Sequence, residues 1–238
     1  MHECALPLRD IFQRETTTSA SFDCMPAAQG ATESQRETDY TVGMRVIAGT
    51  FRSRLLISPR GTATRPTSDR LRETLFNILA AKIEGCNFAD LYAGTGAVGI
   101  EAISRGAAHV WFAENAAPAL ATLQANFAAL KIARGFTIED RGTGALLQRL
   151  AKANKPLDIV YLDPPYEAEA EYEGTLSFFG SVRGRQLLAP EAVVVAEHGS
   201  KATLPERFGG LEQYRRHKQG DASLSFYRIA VSTPPGDS

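Results

Sequence analysis

The chain has 238 residues, 44% of them hydrophobic and 22% charged, with a formal net charge of -1. That composition fits a globular domain with a real core and excludes collagen-like, low-complexity and strongly charged disordered chains. No apolar run approaches the ~20 residues a helical membrane span needs, and the N-terminus has no basic segment leading into an apolar one, so no secretory signal is expected. Cys4, Cys24 and Cys86 share no metal-ligand spacing, which points to free thiols in a reducing cytoplasm.

Residues 1–43 hold three arginines against seven acidic residues and show no sustained hydrophobic period. They are expected to form a disordered leader. Met44 opens the first patterned stretch and is an alternative start of translation, which would make the leader a start-site artefact that the fold does without. Val46-Ile47-Ala48 and Leu55-Leu56-Ile57 read as two strands around Gly49-Thr50-Phe51, an expected β-hairpin over residues 44–60. Seven arginines against the single Asp69 fall between residues 45 and 72. Arg45, Arg52 and Arg54 decorate the hairpin, while Arg65, Arg70 and Arg72 surround the start of a helix. Thr67 or Ser68 is its expected N-cap, and Leu71, Leu75, Ile78 and Leu79 recur at helical spacing with Arg70 and Arg72 off that stripe. A solvated basic face is the plain reading of such a run; a surface for nucleic-acid phosphates is the functional one.

A catalytic domain is expected over residues 61–232, followed by a short disordered tail over 233–238. Phe88 to Tyr92 reads as a strand, Gly94-Thr95-Gly96-Ala97-Val98-Gly99 as a glycine loop, and Ile100 to Arg105 as a helix. This strand–turn–helix setting gives the GxGxxG spacing its meaning as a nucleotide-binding loop. A second strand, Ala108 to Ala113, ends at Glu114, where an acid can bind the two hydroxyls of a ribose. A dinucleotide and S-adenosylmethionine both fit this much. Asp90 favours the latter, because a carboxylate beside the loop repels a pyrophosphate but suits an ammonium group. Ala119 to Leu130 reads as helix; Phe136 to Ile138, Leu157 to Leu162 and Ala192 to Ala196 read as further strands, the last ending in Glu197. Ser223 to Ala230 is a late strand with Gln213-Tyr214-Arg215 beside it. Such alternation predicts a doubly wound α/β sheet.

Asp163-Pro164-Pro165-Tyr166 follows the apolar run Ile159-Val160-Tyr161-Leu162, which reads as a buried parallel strand. The prolines stiffen the loop and leave carbonyls free to accept, Asp163 adds a carboxylate, and Tyr166 adds a flat apolar face. Acceptors beside a stacking platform suit a planar ring with an exocyclic amine, that is, a nucleobase. A proline-rich turn with an incidental acid is the plainer alternative.

Taken in order, Met44 to Gly49, Arg65 to Asn77, Leu91-Tyr92-Ala93-Gly94-Thr95-Gly96, Asp163 to Tyr166 and Leu224 to Tyr227 resemble the RsmD-type methyltransferases. The match runs from Met44 to about Ala230, and the Arg65 to Asn77 stretch is its specific part. The resemblance implies a Rossmann-like sheet of seven strands, the last antiparallel, with an N-terminal β-hairpin: a class I S-adenosylmethionine-dependent methyltransferase. It implies that Asp90, Tyr92, Gly94 and Gly96 hold S-adenosylmethionine, Glu114 its ribose and Asp140 its adenine amine. It further implies methylation of the N2 amine of a guanine in 16S rRNA, at the guanine-966 site of the small ribosomal subunit or its precursor, by a cytoplasmic monomer without metal or membrane. Asp163 and the Pro164 carbonyl would accept from the amine, Pro165 would stiffen the loop and Tyr166 would stack on the base. An adenine-N6 DNA methyltransferase or another amine methyltransferase of the same fold is the alternative within this class. A nicotinamide oxidoreductase and a non-catalytic RNA-binding module are the alternatives outside it.

Overall fold

Two strands open the described residues. In the computed structural model, which describes residues 40–59, 66–153, 155–165 and 168–230, β1 (Tyr40–Arg45) pairs antiparallel with β2 (Leu55–Pro59) in a sheet of their own. The hairpin is present, but its first strand lies earlier than expected. Tyr40, Thr41 and Val42 pair with Pro59, Ser58 and Ile57, so β1 begins ahead of the expected boundary at Met44. Val46-Ile47-Ala48 is not a strand, because its amides are spent elsewhere. Val46 exchanges bonds with Ser53 and Arg54, while Ile47 and Ala48 donate to the carboxylate of Glu101 at 2.8 and 3.0 Å.

Helix α1 (Pro66–Ile83) starts at a proline, whose preset φ and missing N–H suit a first helical position. Thr67 and Ser68 therefore lie in its first turn and neither is the N-cap. The remaining elements alternate: β3 (Asn87–Asp90), α2 (Ala97–Ser104), β4 (His109–Ala113), α3 (Ala117–Leu130), β5 (Phe136–Glu139), α4 (Thr143–Ala153) and β6 (Leu157–Leu162). Then follow α5 (Glu169–Gly180), α6 (Val182–Arg185), β7 (Leu188–Gly199), β8 (Arg207–Phe208), β9 (Leu211–Gln219) and β10 (Ala222–Ile229).

The main sheet has the order β5-β4-β3-β6-β7-β10-β9-β8. Strands β5 to β7 are parallel, and β10 runs antiparallel to both β7 and β9. Seven of these strands meet expectation. The eighth, β8, is extra: the Gly209-Gly210 turn folds Arg207-Phe208 back onto Glu212 and Leu211 of β9. Phe208 is buried there against Tyr227, ring centroids 5.7 Å apart.

Alternation along the strands sorts the core into two layers. On one face Phe88, Ile159, Val193 and Val195 pack under Leu75 of α1, Ile100 of α2 and Phe127 of α3. On the other, Val160, Leu162 and Val194 pack against Leu147 of α4 and Leu176 of α5. Burial of this kind, at ~25 cal/mol per Å² of apolar surface, is the main drive for the fold. Cys86 is free and buried, and burial pushes its thiol up to about 12, which keeps it inert. Cys4 and Cys24 and the expected tail lie outside the described residues, as does the expected leader up to residue 39; its last four residues, 40–43, belong to β1. Among the described residues no helix is long and apolar enough to cross a membrane.

The hairpin is fastened to the domain by polar groups. Glu101 is fully buried and, besides the two amides, accepts from Arg105 Nε at 2.7 Å. Ser104 Oγ accepts from the Phe51 amide at 2.9 Å, and Asn126 accepts from and donates to the backbone of Ile57 at 2.7 and 3.1 Å. Removing one partner of a buried charged network leaves the others unsatisfied, at roughly 3–5 kcal/mol. Glu101→Ala should lower the unfolding free energy in urea by about that amount; a loss of ~1 kcal/mol or less would mean that apolar contacts alone hold the hairpin.

Candidate active site

Side chains on a strand alternate between faces, so the same alternation that buries Phe88, Ile159 and Val195 sends Asp90 and Glu197 to that face. Asp90 pairs with Tyr161 across β3 and β6, and Leu162 pairs with Ala196 across β6 and β7. Asp163 and Glu197, the next residues along, therefore stand level on neighbouring strands. All three acids line one cavity of about 300 Å³ at the carboxyl ends of the strands, shared with Met44, Arg72 and Gly94. In open α/β sheets that is where ligands sit. A larger cavity of about 720 Å³ lies on the opposite face, between α5 and the loop before β8; it holds none of these acids.

Burial dominates the electrostatics. It raises Asp90 to about 7, with the bond from the Gly99 amide at 3.0 Å working the other way. Burial pushes Asp163 well above the usual carboxylate range, with the neighbouring charges of Glu197 and Asp90 adding to it. Glu197 is raised by burial too, eased by the bond from Tyr161 and by the charge of Arg72. Tyr161 Oη donates to Glu197 Oε2 at 2.5 Å. Among the described residues no donor bonds the carboxylate of Asp163.

The glycine loop is fixed from behind. Glu114 accepts from the Gly94 amide at 2.8 Å with one oxygen and from the Ala116 amide at 2.7 Å with the other. Gly94 and Gly96 both have positive φ, +54° and +80°. A Cβ on Gly94 would meet open space, whereas one on Gly96 would strike Leu123 and one on Gly99 would strike Phe112. Thus Gly94 faces the cavity, Gly96 lets the loop lie close to α3, and Gly99 lets α2 lie close to the sheet.

The other sequence-predicted residues divide. Pro164 is buried, and the Tyr172 hydroxyl sits between its carbonyl and that of Glu197, at 3.1 and 2.8 Å. Pro165 is exposed and its carbonyl accepts from the Ala168 amide, which leads into α5. Tyr166 lies outside the described residues, as does Arg65. Tyr92 lines the cavity while its hydroxyl donates to Glu171 at 2.8 Å. Asp140 is exposed on the turn after β5; its neighbour Glu139 is the buried one, bonded by Arg141 Nε at 2.7 Å. Arg45, Arg52, Arg54 and Arg70 are exposed. Arg72 corrects the expected basic face: it is 5% exposed, lines the cavity and donates to the Arg45 carbonyl at 2.7 Å and to Asp69 at 3.0 Å. Among the described residues its Nε has no acceptor.

Sequence reading missed Glu197, seen only as a strand end, and Tyr161 beneath it. It also missed the buried side of Arg72, although Phe76, Leu79 and Ile83 recur from it at helical spacing and are all buried. That second stripe was the available signal.

The fold and this site define a methyltransferase-type α/β domain. The SAM-dependent methyltransferase from Agrobacterium tumefaciens superposes with a TM-score of 0.59 at 14% identity, covering 83% of this chain and 72% of that one. The family model described as Conserved hypothetical protein 95 matches residues 44–228, and the chain belongs to that family, as the resemblance to RsmD-type methyltransferases implied. It is 32% identical over 185 residues to the Ribosomal RNA small subunit methyltransferase D of Escherichia coli, covering 78% of this chain and 89% of that protein. The solved structure of yhhF from Escherichia coli aligns with a TM-score of 0.66 at 31% identity, covering 79% of this chain and 99% of that one.

The raised Asp90 carries a consequence for stability. Unfolded, it releases its proton near pH ~4; folded, it holds it up to about 7. Its contribution is therefore complete below ~4 and is lost as pH rises through about 7. Asp90→Asn keeps an acceptor for the Gly99 amide and removes that titration. Without cofactor, its melting temperature should fall less than the parent's between about pH 5 and 8. Parallel melting curves across that range would contradict the assignment.

Proposed function

We propose that the chain transfers the methyl group of S-adenosylmethionine to the exocyclic N2 amine of a guanine in 16S rRNA, within the small ribosomal subunit or its precursor. The observation that carries this reading is Asp163: a half-buried carboxylate at a strand end, bonded by no described donor, facing a cavity bordered by the glycine loop. The name of the 32% identical relative supports the ribosomal RNA.

The residues present fit the cofactor. Gly94 leaves open space where a side chain would intrude, and Asp90 is a buried acid whose ionisation an ammonium group would favour. Asp90, Tyr92, Gly94 and Gly96 would hold the amino-acid end. Glu114 spends one lone pair of each oxygen on the loop amides and keeps others for a ribose, a carboxylate having about four acceptor positions. Asp140, on its exposed turn, is assigned to the adenine end. When bound, the cofactor supplies an already activated methyl group.

The acceptor is the slow partner, because the lone pair of a guanine N2 is delocalised into the ring. Asp163 and the Pro164 carbonyl accept from its two N–H groups, which favours a tetrahedral nitrogen and aims the lone pair. The Pro164 carbonyl has a second lone pair free for this beside its contact with Tyr172. The stiff Pro164-Pro165 pair holds both acceptors in place, and Tyr166 stacks on the base. Positioning of this kind supplies much of the rate gain. A paired base must be flipped out to reach the cavity. Arg45, Arg52, Arg54 and Arg70, all exposed, grip the RNA phosphates.

Asp163→Ala should bind S-adenosylmethionine near normally and stay folded, yet lose ~10²–10³ in single-turnover methyl transfer to small-subunit particles. Asp163→Asn, which keeps one acceptor oxygen, should retain a measurable fraction. Turnover of Asp163→Ala at the parent rate would sink the mechanism. Separately, replacing Arg52 and Arg54 with Ala should weaken RNA binding and flatten its salt dependence, by roughly one unit of slope for each phosphate no longer gripped, leaving cofactor affinity unchanged. An unaltered slope would make these arginines a merely solvated face.

A further inference from the structure

Glu197 has no part in the mechanism so far, yet it is built into the same cavity. It stands level with Asp163 on the next strand, where neighbouring strands are ~4.8 Å apart. One oxygen is fixed by the Tyr161 hydroxyl at 2.5 Å. The other has no donor among the described residues. Arg72, with its unpaired Nε, is close enough to ease the charge of Glu197, although its ion pair among the described residues is with Asp69. A glutamate kept only to satisfy Tyr161 would not need to line a cavity, and a glutamine would serve as well without the cost of burying a charge.

Two carboxylates side by side match two donors side by side. Among the four bases only guanine carries an exocyclic amine next to a ring N–H. The amine of adenine is flanked by the N1 lone pair, and that of cytosine by the N3 lone pair. A carboxylate facing either lone pair is repelled and loses its hydrogen bond. Resting on the reading of Asp163 as the amine acceptor, we propose that Glu197, held by Tyr161, accepts from the ring N1–H of the target base and thereby selects guanine.

The test is methyl transfer at the guanine that the full-length protein modifies, mapped first by nucleoside analysis. Semi-synthetic small-subunit RNA would carry 2-aminopurine in its place. That base keeps the 2-amine but bears a lone pair at N1. The parent should methylate the 2-aminopurine RNA at least roughly 10²-fold more slowly than the guanine RNA, as sites built around a hydrogen bond reject analogues lacking it. Glu197→Gln preserves an acceptor for Tyr161 and can turn an amide N–H toward N1. It should lose rate on guanine, gain on 2-aminopurine and narrow or invert the ratio, with unchanged cofactor affinity. Equal parent rates on the two RNAs, or a ratio that Glu197→Gln leaves unmoved, would overturn the proposal. If Asp163→Ala is inactive on guanine in the same assay, such a result rejects the role of Glu197 alone. If Asp163→Ala is fully active, the reading of the site beneath it fails as well.

Discussion

Gathering the buried Asp90 and the half-buried Asp163 and Glu197 on one face of the sheet is the constraint to which the rest of the molecule answers. Each acid is lifted by desolvation, and the charges of Glu197 and Asp90 add to the cost of ionising Asp163. The chain offsets this sparingly: one amide from α2 for Asp90, one phenol from β6 and one distant guanidinium from α1 for Glu197. What remains unspent is acceptor capacity facing a cavity. A site in that condition binds whatever brings cations and N–H groups, and an ammonium with an amine-bearing base brings both.

The cover of that cavity is equally deliberate in its chemistry. Met44, at the end of the hairpin, and Arg72, under it, form the wall opposite the sheet. The carbonyl of Arg45 is held by Arg72, so the hairpin and α1 are joined at the cavity rim. Arg72 was expected outside among the exposed arginines and instead works inside. The charge density at the entry thus divides into residues that face solvent, such as Arg52 and Arg54, and one that shapes the site.

Much of this was legible in the residues. The run Leu157 to Leu162 is a strand with the bounds it promised, and the glycine loop caps α2 through Gly96, because both patterns are local. What escaped depends on pairing between distant segments. Nothing in the run from Ala192 to Glu197 says that β7 lies beside β6, and only that adjacency sets Glu197 level with Asp163. The strand expected at Val46 to Ala48 failed for the same reason: its amides answer to Glu101, more than 50 residues away.

Asn126 is a small residue with a long reach. Its amide group accepts from and donates to Ile57 in the hairpin, and it also donates to the Thr95 carbonyl in the glycine loop at 3.0 Å. An amide side chain on α3 thereby takes the place of a neighbouring strand for β2 and steadies the nucleotide loop with the same atoms. Lifting β2 off the domain breaks those bonds and leaves Thr95 loose, so the arm proposed to meet the RNA and the loop proposed to meet the cofactor belong to one cooperative unit of local unfolding.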